Sequence, residues 1–281
     1  MRHMKENRKE IQRFLDTHKA DHVLVSISGG KDSCALIQYA IDNYPKEKIV
    51  LMHAVIDIDW DETIPTCKAQ AEFFDLPLVF TQAQDKTGKK IGILDVLVRP
   101  KKSKGVEVEN MWPSMDCRWC TAAFKRDAMN KVITKYKGIV HVLQGERAEE
   151  SEDRANLPDF EMCDRTSTKT RTVFRTHPIK PCSEREVWAV INENGIPKHP
   201  AYDLGCSRAS CAVCVFSSDK EIAIAGKHAP HIVAKMIKAE RKISTTFRYK
   251  PATKTRPAMK ITIEDILRKE NAFDAVEKLL A

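Results

Sequence analysis

Six consecutive residues near the amino terminus have the types and spacing of a phosphate-binding loop: Ser28, Gly29, Gly30, Lys31, Asp32 and Ser33. Glycine has no Cβ, so the backbone can pass close to a ligand. The amides of such a turn and of the helix that follows point at one spot, where the helix dipole favours an anion. Lys31 adds a mobile positive charge, and the two serines add hydroxyl donors. The stretch predicts a phosphate cradle, in which Asp32 caps backbone amides or holds a metal.

This loop differs from a Walker A motif, which has four residues between its glycines and a Ser or Thr after the lysine. The alternative is an ordinary tight turn between a strand and a helix. An apolar, β-branched run precedes the loop, and an apolar run with helical spacing follows it. Because strand, loop and helix occur in the order that phosphate binding requires, we favour the cradle.

Charged residues follow two other apolar runs. Arg147 and Arg154 come after residues 139–143, and Asp57, with Asp59 and Asp61, comes after residues 49–56. Ligands bind at the carboxyl ends of strands in open parallel sheets. A planar guanidinium suits bidentate recognition of phosphate or sulfate, so we predict that both arginines are site residues, braced by the Glu149–Ser151 stretch. The acidic residues suit ribose hydroxyls or Mg²⁺, with a solvated loop as the alternative.

The chain has nine cysteines, four of which form two Cys-x-x-Cys pairs: Cys117 with Cys120, and Cys211 with Cys214. Disulfides are rare in a reducing compartment, so the pairs indicate metal or redox chemistry. The first pair is predicted to lie at a helix start, where the thiol pKa falls.

Composition restricts the class of protein. The 281 residues are 42% hydrophobic and 31% charged, enough for one buried α/β core and an appendage. The sequence contains no membrane-length apolar run and no apolar signal core at its start, which predicts a cytoplasmic protein with no membrane partner. The net charge of +8 favours anionic partners, nucleotides and nucleic acid among them, with solubility as the alternative reason.

The sequence predicts alternating strands and helices, which would position the candidate site residues. We predict strands over 48–58, 76–81 and 138–145 besides the one before the loop, and helices over 5–19, 62–74 and 121–136. The polar residues 156–172 read as a flexible excursion, and Ser183 and Glu186 form a capping box. This order predicts an α/β fold, a Rossmann-like doubly wound parallel sheet with a C-terminal helical appendage. The predicted domains are an N-terminal helix over 1–19, a nucleotide-binding domain over 20–216 and a basic helical extension over 217–281.

Four motifs in this order resemble the phosphoadenylylsulfate (PAPS) reductase family, within the adenine nucleotide alpha-hydrolase-like superfamily of PP-loop ATP pyrophosphatases. They are the loop Ser28–Ser33, the Cys117 pair with its basic helix, the stretch from Gly145 to Ser151 with Arg154, and the segment from His177 through Tyr202 to Cys214. The resemblance covers residues 20–216. It implies that the loop takes the phosphates of ATP or of a PAPS- or adenylylsulfate-type nucleotide, and that Arg147 and Arg154 flank the anion.

The resemblance also implies a [4Fe–4S] cluster held by Cys117, Cys120, Cys211 and Cys214. Two departures qualify this. Arg118 and Trp119 separate the first pair, whereas the cluster-bearing adenylylsulfate reductases have adjacent cysteines, so Zn²⁺ is the alternative. The residues after Cys214 contain no cysteine, so the nucleophile of the assimilatory reductases is missing unless Cys206 or Cys163 replaces it. Cys206 is also a candidate ligand or sulfur carrier.

The sequence thus favours an ATP-dependent enzyme that adenylates an oxygen, releases pyrophosphate with the help of Lys31 and Mg²⁺, and transfers sulfur. The first rival is a sulfite-forming PAPS or adenylylsulfate reductase, and the second is a non-catalytic nucleotide sensor or nucleic-acid adaptor. The candidate partners besides the nucleotide are a nucleic-acid acceptor, a sulfur-donor protein and a second copy of the chain.

Overall fold

The computed structural model describes residues 13–14, 16–99, 101–103, 106–108, 111–114, 117–209, 211–243, 245–250, 252 and 257–280. Most of the predicted helix over 5–19 lies outside these residues. The described residues fall into two compact units. Unit 1 comprises Met1–Ala54, Glu62–Thr81 and Asp127–Pro200, and unit 2 comprises Val55–Asp61, Gln82–Arg126 and Ala201–Ala281.

The strands, in chain order, are β1 (His22–Ser26), β2 (Ile49–Ala54), β3 (Leu78–Thr81), β4 (Lys101–Ser103), β5 (Val106–Val108), β6 (Gly138–Leu143), β7 (Phe160–Met162), β8 (Arg171–Thr176), β9 (Arg248–Lys250) and β10 (Met259–Ile261). The helices are Lys31–Asn43, Thr63–Phe74, Ile93–Leu97, Thr121–Arg126 (a π-helix), Asp127–Ile133, Glu152–Ala155, Glu184–Asn194, Asp219–His228, Pro230–Glu240, Ile263–Lys269 and Asp274–Glu277. None of the helices in the described part of the chain is long and apolar enough to cross a membrane.

Unit 1 contains a six-stranded sheet in the order β3-β2-β1-β6-β8-β7. Its strands are parallel except β7, which runs antiparallel to β8. The chain moves from β1 outwards to β3 and then returns to the other side of β1 with β6. This reversal of strand order is the switch point at which open α/β sheets bind ligands. The predicted α/β, Rossmann-like doubly wound fold is confirmed.

Helices cover both faces of the sheet, which explains why its central strands are mostly apolar, with His53 and His141 as buried exceptions. Side chains alternate across a strand, so Val23 and Val25 of β1 face the helices Lys31–Asn43 and Glu184–Asn194, while Leu24 faces the helix Asp127–Ile133. Ser183 caps the helix Glu184–Asn194 as predicted.

The predicted flexible excursion over 156–172 contains an ordered hairpin instead, because polar contacts hold it together. β7 pairs with β8 there, and Arg171 is a buried residue whose guanidinium donates to the carbonyl oxygens of Thr166, Thr134 and Tyr136 at 2.7–3.3 Å. The three side chains of β7 are exposed, so this strand has none of the apolar alternation that would have predicted it.

Acid is expected to destabilise the protein through His141 on β6. This side chain is fully buried, with the Tyr44 hydroxyl 3.1 Å from Nδ1, and burial lowers the pKa of His141 to about 4 from 6.5. The unfolded chain therefore binds this proton at higher pH than the folded one. Neutral His141 makes its full contribution to the free energy of unfolding above pH ~6.5. About 3 kcal/mol of that free energy is lost as the pH falls from ~6.5 to ~4. Urea unfolding between pH 7 and 4.5 should show a shallower loss in His141→Gln than in the wild type; parallel curves would contradict the assignment.

Unit 2 has an apolar core of its own. Residues 55–61 and 82–126 share this core with residues 201–281, and Ile58, Leu97, Ile222, Met236 and Leu267 are among its buried members. The predicted helical character of the C-terminal region is seen in four helices, and the hairpin β9–β10 was not predicted. The predicted domain boundaries at 19 and 216 stay predictions.

Candidate nucleotide site and cysteine cavity

The Ser28–Ser33 loop joins β1 to the helix Lys31–Asn43. Gly29 has a φ of 75°, a left-handed conformation that favours glycine, and Gly30 caps the helix without a side-chain hydrogen bond. The amide of Ser28 donates to the Ser33 hydroxyl at 2.8 Å, which closes the loop across its mouth. The Ser33 amide donates to the Gly30 carbonyl at 3.0 Å, so the predicted phosphate cradle would have to be formed by the amides that precede it.

Gln70, on the helix Thr63–Phe74, holds the backbone of the Ser28–Ser33 loop in place at Gly29. Its fully buried side-chain amide donates to the carbonyl oxygens of Gly29 and Pro197, both at 3.0 Å, and lies 3.1 Å from the Cys34 sulfur. Burial raises the pKa of Cys34 to about 12, so this thiol stays neutral beside the loop. Gln70 thus determines the direction of the Gly29 peptide.

Substitution of Gly29 is expected to damage the loop. In Gly29→Ala, a residue with a Cβ would have to adopt a φ of 75°, with the Cys67 sulfur 3.4 Å from that Cβ. We expect a loss of about 1–2 kcal/mol in the free energy of unfolding and at least tenfold weaker ATP binding by calorimetry. Gly195→Ala is the matched control, because Gly195 has a φ of 64° with nothing within 4 Å of a built Cβ. Equal loss of ATP binding in the control would count against the loop.

Lys31 and Arg147 are both buried, with 4% and 3% of their surface exposed. The Lys31 ammonium lies 3.4 Å from Glu184 Oε1, at the start of the helix that packs beside the loop helix. Arg147, which follows β6, donates from Nε to Asp32 Oδ1 at 2.6 Å. Asp32 therefore links the β1 loop directly to the β6 turn, a role different from the amide cap or metal ligand that we predicted for it.

The second guanidinium nitrogen of Arg147 donates to Glu149 at 2.7 Å. Burial lowers the pKa of Arg147, but Asp32 and Glu149 raise it more, and the net shift is upward. Arg154 pairs with Glu150, whose carboxylate also accepts the Arg147 amide at 3.1 Å. Burial raises the pKa of Glu150, but the contacts with Arg147 and Arg154 lower it by more. The net shift of the pKa is downward, so the carboxylate stays charged. Glu149 and Glu150 thus contact the two arginines that we predicted as site residues, and a ligand role for Arg147 and Arg154 stays a prediction.

Asp57, predicted to bind the nucleotide, has structural partners within unit 2. Its carboxylate accepts from the amides of Ile93 and Leu94 at 2.7 and 3.1 Å and so begins the helix Ile93–Leu97. Asp61 lies 3.1 Å from the His231 ring. A ligand role for Asp57 stays a prediction, and it would have to displace these helix contacts.

Three of the four predicted metal ligands line one cavity of about 90 Å³ in unit 2: Cys120, Cys211 and Cys214. The segment after β2 helps to place Cys211, because the Ala212 amide donates to the Ile58 carbonyl at 2.9 Å. Lys125, on the π-helical turn that follows Cys120, also lines the cavity. The neighbouring Cys211 raises the pKa of Lys125 against the effect of burial, so the lysine stays charged.

The other two candidate ligands, Cys117 and Cys206, do not line this cavity. Cys117 is exposed, and Cys206 is buried in the core of unit 2. Burial and Glu221 raise the pKa of Cys206 to about 11, which opposes a role as a nucleophile. In the part of the chain that the structure describes, no three His, Cys, Asp or Glu side chains are grouped so that they could hold a metal ion. Cysteine thiolates are suitable ligands for zinc and iron, but in this arrangement the described cysteines do not form a metal-binding site.

A family comparison agrees with this geometry. The phosphoadenosine phosphosulfate reductase domain model matches residues 22–216, more than half of the chain, and the match includes both the loop and Cys214. The chain belongs to this family. An uncharacterized 37.8 kDa protein from the gpa 5′ region of Escherichia phage 186 is 27% identical to this PAPS reductase-family protein in an alignment of length 262, with 80% of the chain and 76% of the phage protein covered.

Solved structures with a similar fold include three enzymes. PAPS reductase from Candida auris is 16% identical to this PAPS reductase-family chain, with 78% and 97% of the two chains covered and a TM-score of 0.49. The U34-tRNA thiolase NcsA from Methanococcus maripaludis, solved with its [4Fe–4S] cluster, is 16% identical, with 85% and 78% covered and a TM-score of 0.46. NH3-dependent NAD synthetase from Campylobacter jejuni is 12% identical, with 69% and 72% covered and a TM-score of 0.41.

In this PAPS reductase-family protein, Gln70 beside the loop and Lys125 in the cysteine cavity were not predicted from the sequence. Gln70 is one polar position on a predicted helix, and only its inward-facing register beside Thr66 and Ala71 could have singled it out. Lys125 is one of several basic residues in the helix predicted after Cys120, and nothing in its local sequence distinguishes it from the others. Its place in the cysteine cavity depends on unit 2, which joins three distant parts of the chain.

Proposed function

We propose that the protein cleaves ATP between the α- and β-phosphates and then transfers sulfur to the adenylated acceptor. The observation that supports this most is the contact between the Ser28–Ser33 loop and Arg147 through Asp32, at the switch point between β1 and β6. Phosphates bind where loop amides, a helix N-terminus and fixed cations converge. Membership of the family supports an adenine nucleotide as the ligand.

Each residue of the loop has a distinct task in this proposal. The amides of residues 29–32 and the Lys31 ammonium bind the leaving pyrophosphate and stabilise the charge that develops on it. The Mg²⁺ enters with the substrate as the Mg–ATP complex. Arg147, held rigid by Asp32 and Glu149, orients the α-phosphate, and Arg154 contributes positive charge from the same turn.

The proposed reaction balances without a redox step. An acceptor oxygen attacks the α-phosphorus, and the bond from that phosphorus to the bridging oxygen breaks, so that pyrophosphate leaves with the electron pair. Sulfur at the oxidation level of hydrosulfide, supplied by a donor protein, then displaces AMP from the acceptor carbon. The oxygen of the acceptor leaves with AMP, and the acceptor gains sulfur in its place.

The family match itself favours a second candidate, the reduction of PAPS or adenylylsulfate. In that reaction two thiols become a disulfide, and the sulfuryl group leaves the nucleotide as sulfite. The same loop would bind the nucleotide phosphates, so the geometry of unit 1 is compatible with both reactions. The two reactions are distinguished by their products.

The test compares the two reactions under anaerobic conditions. The protein is incubated with Mg–ATP and pooled tRNA or DNA fragments, and in parallel with PAPS or adenylylsulfate and dithiothreitol. AMP and pyrophosphate from ATP are expected. ADP and phosphate would refute the assigned bond, sulfite from the second incubation would favour the reductase, and ATP binding without turnover would favour a sensor.

The predicted cluster needs a separate measurement. The described cysteines form no ready ligand set for a metal ion. Anaerobic purification with metal and sulfide analysis decides between the predicted [4Fe–4S] cluster, which absorbs near ~400 nm, and Zn²⁺. Protein that contains neither metal, and gains neither when reconstituted, would refute the four-cysteine prediction.

A further inference from the structure

The net charge of the protein is distributed unevenly between its two units. The sequence of unit 1 contains 22 Lys and Arg residues against 22 Asp and Glu residues. That of unit 2 contains 25 against 17, so the whole excess of +8 belongs to unit 2. Solubility alone does not require one unit to be neutral and the other basic.

The helix Pro230–Glu240 concentrates this excess on one face. Its buried side contributes Ile232, Val233, Met236 and Ile237 to the core of unit 2. Its exposed side carries basic side chains at a spacing of four, three and four residues, continued by the turn after the helix. We call this set the basic face: His231, Lys235, Lys238 and Lys242.

No acidic side chain is exposed on this helix. Its one carboxylate, Glu240, is 6% exposed and accepts from the amides of Phe247 and Ile263 at 2.6 and 2.9 Å. Exposed helices of soluble proteins commonly alternate acidic and basic residues three or four positions apart, because such pairs stabilise the helix. Here that compensation is absent along about 16 Å of helix.

The neighbouring carboxylates neutralise little of the basic face. Asp61 faces His231 at 3.1 Å, and Glu264 is paired with Arg241, beside the face. Lys238 donates to the Leu279 carbonyl at 2.8 Å and keeps its charge. Among the described residues, no carboxylate lies within ion-pair distance of Lys235 or Lys242. In the described part of the chain, therefore, no carboxylate is paired with any of the three lysines of the basic face.

We propose that the basic face is a docking surface for the phosphodiester backbone of a nucleic-acid duplex. A duplex offers about one negative charge per 1.7 Å, so 16 Å of backbone matches several lysines at once. Lysines on a helix face contact phosphates without reading bases, so binding should be independent of sequence. An anionic membrane fits less well, because the apolar side of this helix is buried in unit 2 and cannot enter lipid.

This inference deepens the proposed function, since it rests on nucleic acid being the sulfur acceptor. The two can nevertheless fail separately. Duplex binding does not require ATP, and ATP binding at the loop does not require the basic face.

The test replaces the three lysines together and measures binding of labelled 20-base-pair RNA and DNA duplexes by anisotropy over a range of salt concentrations. The variant is Lys235→Gln, Lys238→Gln and Lys242→Gln in the full chain. We expect it to bind about 10–100-fold more weakly at low salt, with the slope of log K against log salt reduced by about two to three. The matched control changes three exposed lysines of neutral unit 1, Lys46, Lys68 and Lys137, to Gln.

Unchanged affinity and slope in the basic-face variant would overturn the proposal, as would an equal loss in the control, which would indicate a general charge effect. Tighter binding to vesicles containing phosphatidylserine than to either duplex would assign the face to membranes instead. Melting temperature confirms that the variants are folded. Wild-type protein that binds duplex through the basic face but releases no pyrophosphate from ATP would refute the proposed function and support the docking surface.

Discussion

Pyrophosphate release from ATP is expected to fall by about 10²–10³-fold in Lys31→Ala, with a small change in stability. Lys31 is 4% exposed, and its ammonium has the nearby Glu184 carboxylate at 3.4 Å as an ionic partner in the free protein. In the proposed reaction it neutralises charge that appears on the leaving group, so its removal should lower the maximal rate more than the affinity for ATP. A steady-state assay of pyrophosphate against ATP concentration separates the two effects.

Lys46→Ala is the matched control for this variant. Lys46 is an exposed lysine of the same unit, paired with Asp75 at 2.8 Å, and it precedes β2, so it lies towards the amino ends of the parallel strands. It should retain the wild-type rate. A Lys31→Ala enzyme with an unchanged maximal rate would show that the loop lysine does not act on the leaving group.

The second large effect is expected at Arg147. Arg147→Met removes the partner of Asp32 and Glu149 and leaves a partly buried carboxylate uncompensated, which should cost about 2–3 kcal/mol in the free energy of unfolding. Both carboxylates retain some solvent exposure, which limits this cost. Pyrophosphate release should fall by at least 100-fold, because the guanidinium fork also orients the α-phosphate.

A double variant separates the structural role of Arg147 from its role in the reaction. In Arg147→Met with Asp32→Asn, the uncompensated charge is gone, so denaturant unfolding should show part of the lost stability restored. Pyrophosphate release should not recover. Recovery of both would show that Arg147 serves only to hold Asp32.

The sequence was sufficient for the parts of the fold and site that depend on local pattern. The apolar runs of β1 and β6 are buried on both faces, so they could be read directly, and with them the turns that carry Lys31 and Arg147. Capping by Ser183 depends on residues three positions apart. In each case the determining interactions are within a few residues of one another.

Contacts between distant residues could not be predicted. Asp32 and Arg147 are 115 positions apart. The sequence predicts that Asp32 caps amides or holds a metal, and that Arg147 binds an anion. Asp57 follows a strand like a ligand-binding acid, yet it caps a helix that begins 36 positions later. The hairpin β7–β8 is held by the hydrogen bonds of Arg171, which leave no apolar period in the sequence.

The most direct test of nucleotide binding is a crystal structure of the protein with Mg²⁺ and α,β-methylene ATP, which cannot be cleaved at the proposed bond. We expect the β- and γ-phosphates within hydrogen-bond distance of the amides of residues 29–32 and of the Lys31 ammonium, with the Arg147 guanidinium beside the α-phosphate. Phosphates bound elsewhere, with the Ser28–Ser33 loop closed by its own hydrogen bonds, would contradict the proposed function.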